Sequence, residues 1–519
     1  MNNFTQSKLN TMELFNNILI PLLSFLLFVW MFLKSQTISK HAKTYSHIPG
    51  PKTLPLIGNL HLMIRPAPPH HIFRQLAAKH GPLMHLQLGE IHSVIISSVN
   101  FAKLVVRTHD INFANRPPGL VTDKLTYNYS DIVLAPYGDQ WRQLRKICTL
   151  ELLSARRVQS FRRIREEETL SLCKQIASCE RIGSPADLSE ILYLTSFDVT
   201  TRVVVGGKTN ERRTVTSIIQ ESIQLATGFM LADLYPSINL LPLITGAKFK
   251  TQRMYRKLDK LFDSIIEQHK AGGDGGEVED LVDVLLKIQQ DETEFPLTTE
   301  NIKAVILNMF VGGTDTSTIN VEWAMSEMMR NPSILSKAQE EVRKVFDDKG
   351  YVDEAKFDEL KYLRLIIKET LRLHPPLPLL IPRMNVERCE IDGYEIPAKT
   401  RVIVNAWALG RDPEYWNDAE KFIPERFEES SVDFKGNNLE YIPFGSGRRM
   451  CPGVSFGLAN VELPLAMLLY HFDWKMPNGM KHEDLDMEEA FGVTVRRKHP
   501  LHLIPIVKRP LPASTCSTH

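Results

Sequence analysis

One long helical segment constrains the fold of this chain more than any other part of the sequence. Residues 299–330 contain no proline, repeat apolar positions at helical spacing and stop directly before Asn331-Pro332. At about 1.5 Å per residue such a helix is roughly 50 Å long, which is enough to cross an entire domain. The pair Gly312-Gly313 lies in its middle and predicts a kink or a groove there. We therefore expect one large helical body arranged around this helix.

The remaining pattern predicts a mainly α fold with small β-sheets. Residues 85–98 carry short β-branched and apolar runs broken at Gly89, as a small sheet would, whereas helical spacing dominates after about residue 138. The 519 residues are 43% hydrophobic and 24% charged, which is typical of a globular chain. Length alone permits either three domains or one large catalytic domain. A glycine-rich stretch at 272–276 predicts a flexible loop between two helices.

Charge and cysteine content exclude two classes of protein. The formal net charge is +1, so the chain lacks the basic field that gathers nucleic acid, and we expect no nucleic-acid partner. Six scattered cysteines without a CxxC pair predict neither a disulfide scaffold nor structural zinc. A reducing compartment fits this cysteine usage best.

The N-terminal region predicts a membrane anchor. Residues 14–33 are almost entirely apolar, and twenty helical residues span the hydrocarbon of a bilayer. Lys34, Lys40 and Lys43 follow the segment, which keeps the rest of the chain cytosolic by the positive-inside rule. A cleaved signal peptide or a buried helix is the alternative. We expect residues 1–44 to form an uncleaved anchor and linker, followed by a stiff proline-rich connector.

A glycine-rich loop around one cysteine is the most informative motif. The string FGSGRRMCPG places Cys451 shortly before an apolar run at 454–469 that predicts a helix. Backbone N–H groups and the positive end of the helix dipole stabilise a thiolate at such a position, and glycines let the backbone approach a flat ligand. A sulfur ligand to iron is one interpretation. An inert buried cysteine beside a tight turn is the other.

This loop resembles the signature of the cytochrome P450 family, the haem-thiolate monooxygenases. The pattern Phe-x-x-Gly-x-Arg-x-Cys-x-Gly is matched by Phe444, Gly447, Arg449, Cys451 and Gly453. The resemblance implies a haem cofactor whose iron takes the Cys451 thiolate as its axial ligand, with Phe444 beside it and Arg449 on a haem propionate. A thiolate in that position favours O–O cleavage. It also implies one haem-thiolate catalytic domain at 45–508, which leaves 509–519 as a disordered tail.

A second string resembles the oxygen-activation motif of the same family. Residues 312–317 read GGTDTS, and the resemblance implies that Asp315 and Thr316 serve the proton delivery that O2 reduction requires. A hydroxyl beside a carboxylate on a helix can hold the waters that carry protons. Taken alone, such a pair is more often solvated or bonded to nearby backbone.

A third resemblance concerns structure rather than chemistry. Glu369 and Arg372 match the family's Glu-x-x-Arg pair, and Arg426 in PERF matches the segment that supplies a second arginine. An exposed pair at this spacing contributes about 0.2–0.5 kcal/mol, whereas a buried network is costly to break. We expect these three residues to form a buried structural network.

Arginine and tryptophan side chains are candidates for the rest of the cofactor site. Trp141 and Arg145 match the family's Trp-Arg-x-x-Arg helix, and Arg383 is a weaker candidate for the same role. Charge-assisted and stacking contacts of these types suit a flat anionic cofactor, although a basic helix can also be a solvated face. Further positive charge that could dock an acidic redox partner lies at Arg142, Lys146, Arg156 and Arg157.

The function expected from these motifs is oxidation of a hydrophobic small molecule with O2. Position 450 is Met in place of the third glycine of a dinucleotide-binding fingerprint, so the loop does not predict a nicotinamide or flavin site. Electrons must therefore come from another protein. In the family that the chain resembles, this is an NADPH-dependent diflavin reductase at the endoplasmic reticulum membrane. The strings KETLRLHPP and VNAWALGRDP resemble plant microsomal terpenoid and alkaloid hydroxylases. We expect the substrate to be a plant specialised metabolite. A terpenoid is the first candidate, and an alkaloid or phenolic compound is the second. A haem-thiolate isomerase or dehydratase, or a haem carrier without O2 turnover, is the alternative.

Overall fold

The computed structural model describes residues 45–207, 212–226, 230–272, 279–291, 296–490 and 492–512. The expected anchor at 14–33 with its linker to residue 44 lies outside these ranges, as do residues 273–276 of the expected glycine loop and 513–519 of the expected tail. Across the described ranges, no helix combines the length and apolar character that a membrane crossing needs.

The described residues are mainly helical. The α-helices, in chain order, are α1 (Pro69–His80), α2 (Val99–Lys103), α3 (Leu120–Leu125), α4 (Asp139–Ile147), α5 (Ala155–Ser160), α6 (Arg162–Arg181), α7 (Leu188–Val205), α8 (Arg212–Leu225), α9 (Leu231–Leu234), α10 (Leu241–Ile244), α11 (Ala247–Lys270), α12 (Leu281–Gln290), α13 (Thr299–Arg330), α14 (Pro332–Phe346), α15 (Lys361–Leu373), α16 (Ala406–Leu409) and α17 (Val454–His471). Short 3-10 helices include Pro424–Phe427 and Gly447–Arg449.

The strands form small sheets beside the helices. They are β1 (Leu83–Leu88), β2 (Ile91–Ile96), β3 (Ala186–Asp187), β4 (Arg383–Met384), β5 (Cys389–Ile391), β6 (Tyr394–Ile396), β7 (Arg401–Val404), β8 (Phe472–Lys475) and β9 (His502–Val507). The sheets have the orders β1-β2-β7-β4, β3-β9-β8 and β5-β6. The expectation of a mainly α fold with small sheets is confirmed, including a hairpin within 85–98.

Gly89 in the β1–β2 turn shows why that turn needs a glycine. Its φ is +66°, and a Cβ there would lie 2.6 Å from the carbonyl oxygen of Leu234. Any other residue would therefore be strained by its backbone and would collide with the C-terminal end of α9.

The central helix α13 has the bounds expected from the sequence. A capping box between Thr298 and Asn301 begins it, which satisfies N–H groups that would otherwise lack partners. Its first half packs into one hydrophobic cluster with α7, α11 and α12, and its second half packs into another with α14, α15 and α17. Since nearly every face is buried, the helix forms the axis of the core.

The glycine pair in α13 produces a groove and leaves the helix continuous. A Cβ at Gly313 would lie 3.1 Å from Phe456 of α17 and from Thr200 of α7, so the glycine permits close packing of three helices. A Cβ at Gly312 would meet nothing within 4 Å among the described residues. The same turn of helix is therefore tightly packed on one side and open on the other.

Both ends of the described chain are held by specific contacts. Tyr45, the first described residue, stacks on His85 at 4.6 Å and on His92 at 4.4 Å between ring centroids. Near the other end, Arg509 donates two hydrogen bonds of 2.8 Å to Asp347. Residue 509 therefore belongs to the packed body, two residues beyond the end of β9.

A charged histidine ties α11 to α12 and predicts pH-dependent stability. His269 donates from Nε2 to Asp280 at 2.9 Å and from Nδ1 to the carbonyl oxygen of Ile265 at 2.7 Å. The hydrogen bond to Asp280 is the main reason that the pKa of His269 rises from 6.5 to about 9. Because the folded state raises this pKa, the contribution is full below pH 6.5 and is lost as pH rises through 9.

We therefore expect His269→Gln to lower the free energy of unfolding by about 1–2 kcal/mol below pH 6.5 and to have much less effect above pH 9. Urea denaturation of both proteins at the two pH values measures this. An equal loss at both values would show that the imidazolium is not the stabilising form.

Candidate functional site

Backbone hydrogen bonds fix the conformation of the loop that contains Cys451. The loop connects the 3-10 helix Gly447–Arg449 to α17. The N–H of Cys451 donates to the carbonyl oxygen of Phe444 at 2.9 Å, and the N–H of Gly453 donates to Cys451 Sγ at 3.4 Å. Gly447 has a φ of +69°, and a Cβ there would lie 2.3 Å from the carbonyl oxygen of Val106. The glycines of the motif therefore set the position of the thiol.

The Cys451 thiol lines the floor of a recess. The residue is exposed, yet the surrounding protein still raises the pKa of its thiol through desolvation, which the Gly453 N–H and Arg145 partly counteract. A group that is both exposed and desolvated faces a concave space rather than the outer surface. The same thiol would become a ligand if that space held a metal.

Arg449, Trp141 and Arg145 form a cluster beside this recess. Arg449 donates from Nε to the carbonyl oxygen of Ala114 at 2.7 Å, and its guanidinium lies 4.2 Å from the centre of the Trp141 ring. Arg145 lies 5.5 Å from that ring and donates to the carbonyl oxygen of Met450. The indole N–H of Trp141 donates to the carbonyl oxygen of Ile132 at 2.9 Å. The ring of Trp141 therefore packs against both arginines, and its indole N–H already has a hydrogen-bond acceptor.

Two further arginines complete the cluster. Arg383 donates to Asp110 Oδ1 and to the carbonyl oxygen of Ser446, both at 2.8 Å. Arg116, which the sequence analysis missed, donates to the carbonyl oxygens of Val133 at 2.9 Å and Ile381 at 2.6 Å. Burial, followed by the charges of Arg449 and Arg383, holds the pKa of Arg116 below its usual range.

This cluster has more positive than negative charge. Four arginines face the two carboxylates of Asp110 and Asp131, and Asp131 already accepts backbone N–H groups of residues 133 and 134. Among the described residues, the buried Nη1 of Arg449 has no hydrogen-bond partner. Buried cations with an unused donor are stable only when an anion completes them. A flat ligand with two carboxylates, such as haem, supplies that charge, so the residues present fit this cofactor.

The GGTDTS turn of α13 packs beside the helix that follows Cys451. Gly313 packs against Phe456, which lies in the first turn of the helix that follows Cys451. One turn further along α13, Thr316 donates from its hydroxyl to the carbonyl oxygen of Gly312 at 2.7 Å. The expected oxygen-activation motif therefore packs against the helix that directly follows the expected thiolate loop.

Asp315 has different surroundings from its neighbour Thr316. Its carboxylate is 1% exposed and accepts hydrogen bonds from the hydroxyl of Thr494 and the guanidinium of Arg496. Arg496 also lies 4.9 Å from the ring of Tyr193. Thr494 and Arg496 were not candidates from the sequence, since they lie about 180 residues away and match no motif.

The three residues of the expected structural network lie together where α15 meets the 3-10 helix Pro424–Phe427. Arg372 donates from Nε and Nη2 to the two oxygens of Glu369 at 2.7 and 2.8 Å, and Arg426 donates to Glu369 Oε1 at 2.9 Å. The side chains of Glu369 and Arg372 are fully buried. Phe444 is half-buried and packs against the same hydrophobic cluster as α15.

A mainly helical fold with a thiol in a recess and buried arginines around it defines a haem-thiolate protein. The chain belongs to the cytochrome P450 family, whose model, described as cytochrome P450, matches residues 48–504. It is therefore an oxidoreductase of the monooxygenase type that carries haem and uses O2 on a hydrophobic substrate.

Plant proteins and an animal structure are similar to the chain along most of its length. Desmethyl-deoxy-podophyllotoxin synthase of Sinopodophyllum hexandrum is 51% identical over 504 residues, which cover 95% of this chain and 98% of the relative. Premnaspirodiene oxygenase of Hyoscyamus muticus is 50% identical over 501 residues, with the same two coverages. A zebrafish cytochrome P450 solved with abiraterone is 25% identical, covers 85% of this chain and 100% of its own, and has a TM-score of 0.72.

Proposed function

We propose that this protein is a membrane-anchored monooxygenase that hydroxylates a hydrophobic plant metabolite, a terpenoid, with electrons from an NADPH-dependent diflavin reductase. The observation that supports the proposal is the group of buried arginines beside the Cys451 loop, together with the packing of Gly313 in α13 against Phe456 in the helix that follows Cys451. The substrate class follows from the resemblance to plant terpenoid and alkaloid hydroxylases at about 50% identity. An alkaloid or phenolic scaffold is the second candidate, because the relatives include the podophyllotoxin enzyme.

We assign the cofactor contacts to seven residues of the recess. Cys451 would supply the thiolate, and Phe444 lies in the same loop. The haem propionates would be held by Arg449, Arg145, Arg383 and Arg116. Trp141 fixes the planes of two of these arginines. When bound, the haem supplies activation of O2 for insertion of one oxygen atom into the substrate.

The proton supply is assigned to α13 and to the segment packed against it. Thr316 offers a hydroxyl on the open side of the helix, and the buried carboxylate of Asp315 is the nearest acid along the chain. Arg496 is partly exposed, so its ion pair with Asp315 connects this carboxylate to solvent. Arg496 and Thr494 are positioning residues in this proposal, because they act through Asp315.

Thr316→Val is expected to separate NADPH consumption from product formation. The substitution keeps the shape of the side chain and removes the hydroxyl that holds a proton-carrying water. We expect product formation to fall by about two orders of magnitude, while NADPH oxidation continues and hydrogen peroxide accumulates. Thr316→Ser, which keeps the hydroxyl, is the matched control. Unchanged product per NADPH in the valine variant would remove Thr316 from the proton supply.

An exposed apolar surface supports the membrane association. Leu234 packs with Leu60 and Leu62 in one hydrophobic cluster, which brings the α9–α11 region beside the chain that leads from the proposed anchor. Large apolar side chains that are more than half exposed in these two regions are Ile64, Leu231, Leu240, Ile244 and Phe249. Such a concentration is typical of a surface that meets lipid or protein. We place it against the cytosolic leaflet of the endoplasmic reticulum, with the anchor at 14–33.

The basic residues proposed for reductase docking divide into two pairs. Arg142 forms an ion pair with Asp139, and Arg157 forms one with Glu279. Lys146 and Arg156 are exposed, and they lie near α4, whose Arg145 contacts the Cys451 loop. Positive charge at this position would accelerate encounter with an acidic flavoprotein.

The proposed function is tested in microsomes that contain this chain and a plant diflavin reductase. Terpenoid, alkaloid and phenolic mixtures are each incubated with NADPH and O2, and mass spectrometry identifies any compound that gains one oxygen. Loss of a terpenoid that depends on NADPH and reductase is the expected result. Conversion without NADPH would indicate an isomerase or dehydratase, and haem binding without any conversion would indicate a carrier.

A further inference from the structure

Two adjacent histidines and one glutamate converge outside the haem recess. His70 and His71 lie in the first turn of α1, and Glu489 lies about 420 residues later, in the segment before β9. The two imidazole Nε2 atoms lie 2.7 and 2.9 Å from the same carboxylate oxygen, Glu489 Oε2. All three atoms lie within 4.8 Å of one another. Neither the fold nor the proposed chemistry explains why two imidazoles should meet on one oxygen.

We propose that His70, His71 and Glu489 bind a divalent transition metal, with zinc as the preferred ion. Two imidazole nitrogens and one carboxylate oxygen form a common three-ligand set for zinc, and a water molecule takes the fourth position. Zinc–ligand bonds of about 2.0–2.2 Å place tetrahedral ligand atoms roughly 3.3 Å apart. Each imidazole Nε2 would move about half an ångström away from Glu489 Oε2 to admit the ion, and the two Nε2 atoms already lie within 4.8 Å of each other.

The backbone around the three ligands is already ordered. The carbonyl oxygen of His70 accepts a hydrogen bond of 2.9 Å from Asn405, and the ring of His71 lies 4.2 Å from that of Trp407. Glu489 pairs with Arg497 in an isolated β-bridge. Ligands on fixed elements lose little conformational entropy on binding a metal.

Among the described residues of the cluster, the His71 side is the more open to solvent. The side chains of His70 and Glu489 are 1% and 10% exposed, whereas that of His71 is 36% exposed. An ion would reach the site past His71 and keep its water on that side. Arg411 and Arg74, whose guanidinium groups lie over the Trp407 ring, both pair with Glu420, which offsets part of their repulsion of a metal ion.

Metal binding here would link α1 to the segment whose side chains contact the Asp315 carboxylate. Glu489 is followed within seven residues by Thr494 and Arg496, whose side chains contact that carboxylate. The metal would therefore restrain the chain between the two contacts. This role is structural, and it does not depend on the substrate or on the reaction.

The test uses untagged, haem-loaded, full-length protein that has been treated with a chelator and then dialysed against zinc chloride. We expect one zinc per chain beside one haem iron, measured by elemental analysis. His71→Ala and Glu489→Gln should each weaken zinc binding by about 10–100-fold. The absorption band of the reduced carbonyl complex reports whether each variant is folded.

His499→Ala provides the matched control. His499 belongs to an exposed group with Asp486 and Glu488 that has similar residue types, and its loss should leave zinc binding unchanged. Absence of zinc in the wild-type protein would overturn the proposal. Undiminished binding in both site variants, or loss only in His499→Ala, would also overturn it.

Discussion

Replacing Cys451 with serine is expected to abolish both the red-shifted absorption band of the reduced carbonyl complex and all product formation. The effect is expected to be complete because, in the proposed assignment, the Cys451 thiolate donates electron density to the iron, and a hydroxyl is not ionised in its place. The loop itself should survive, since its hydrogen bonds run through the backbone of Phe444, Cys451 and Gly453. Serine also nearly matches the volume of cysteine.

Cys389→Ser is the matched control for this change. Cys389 is a half-buried cysteine in β5, remote in sequence from the 444–453 loop. The control should keep the band and the activity of the wild-type protein. A wild-type spectrum from Cys451→Ser would refute the assignment of the axial ligand and, with it, the proposed function.

Glu369→Gln is expected to produce the largest loss of stability among single conservative substitutions. Glu369 is the shared acceptor for Arg372 and Arg426, and its Oε1 also accepts the backbone N–H of Ile423 at 2.8 Å. Neutralising it leaves two nearly buried guanidinium groups without their counter-charge. Removing one partner of a buried ion pair costs about 3–5 kcal/mol. We expect little haem-loaded protein and a matching decrease in the free energy of unfolding.

Glu425→Gln is the matched control for Glu369→Gln, because it makes the same chemical change at an exposed position. Glu425 lies one residue from Arg426, is 39% exposed and forms an ion pair with Lys337 at 2.8 Å. A surface pair contributes about 0–1 kcal/mol, so this variant should fold and bind haem normally. Urea denaturation of the two variants compares them directly. Equal losses would show that the Glu369 network is not an unusually strong element of the fold.

The local part of the site could be predicted because it depends on neighbours in the chain. The 444–453 loop needs glycines at fixed positions, since Gly445 and Gly447 have φ of +73° and +69°, a backbone conformation that favours glycine. The bounds of α13 follow from its capping box and from Pro332. In both places, steric limits over a few residues are visible in the residue types themselves.

The contacts between distant segments could not be predicted in the same way. Arg116 joins the cofactor cluster through the carbonyl oxygen of Ile381, 265 residues later. Arg496 reaches Asp315 across 181 residues, and Glu489 reaches His70 across 419. Each of these arginines and acids could equally have been a solvated surface charge, since its residue type carries no information about its partner.

The sequence by itself determined that this chain is a helical P450 and predicts Cys451 as its thiolate ligand, because short-range sterics and motif spacing encode those features. Only the tertiary structure decided which charges are buried together, since burial depends on how the elements pack. The excess of arginines around the recess, the partners of Asp315 and the convergence of His70, His71 and Glu489 all belong to that second group. In each case, removal from water makes an otherwise ordinary side chain depend on one specific partner.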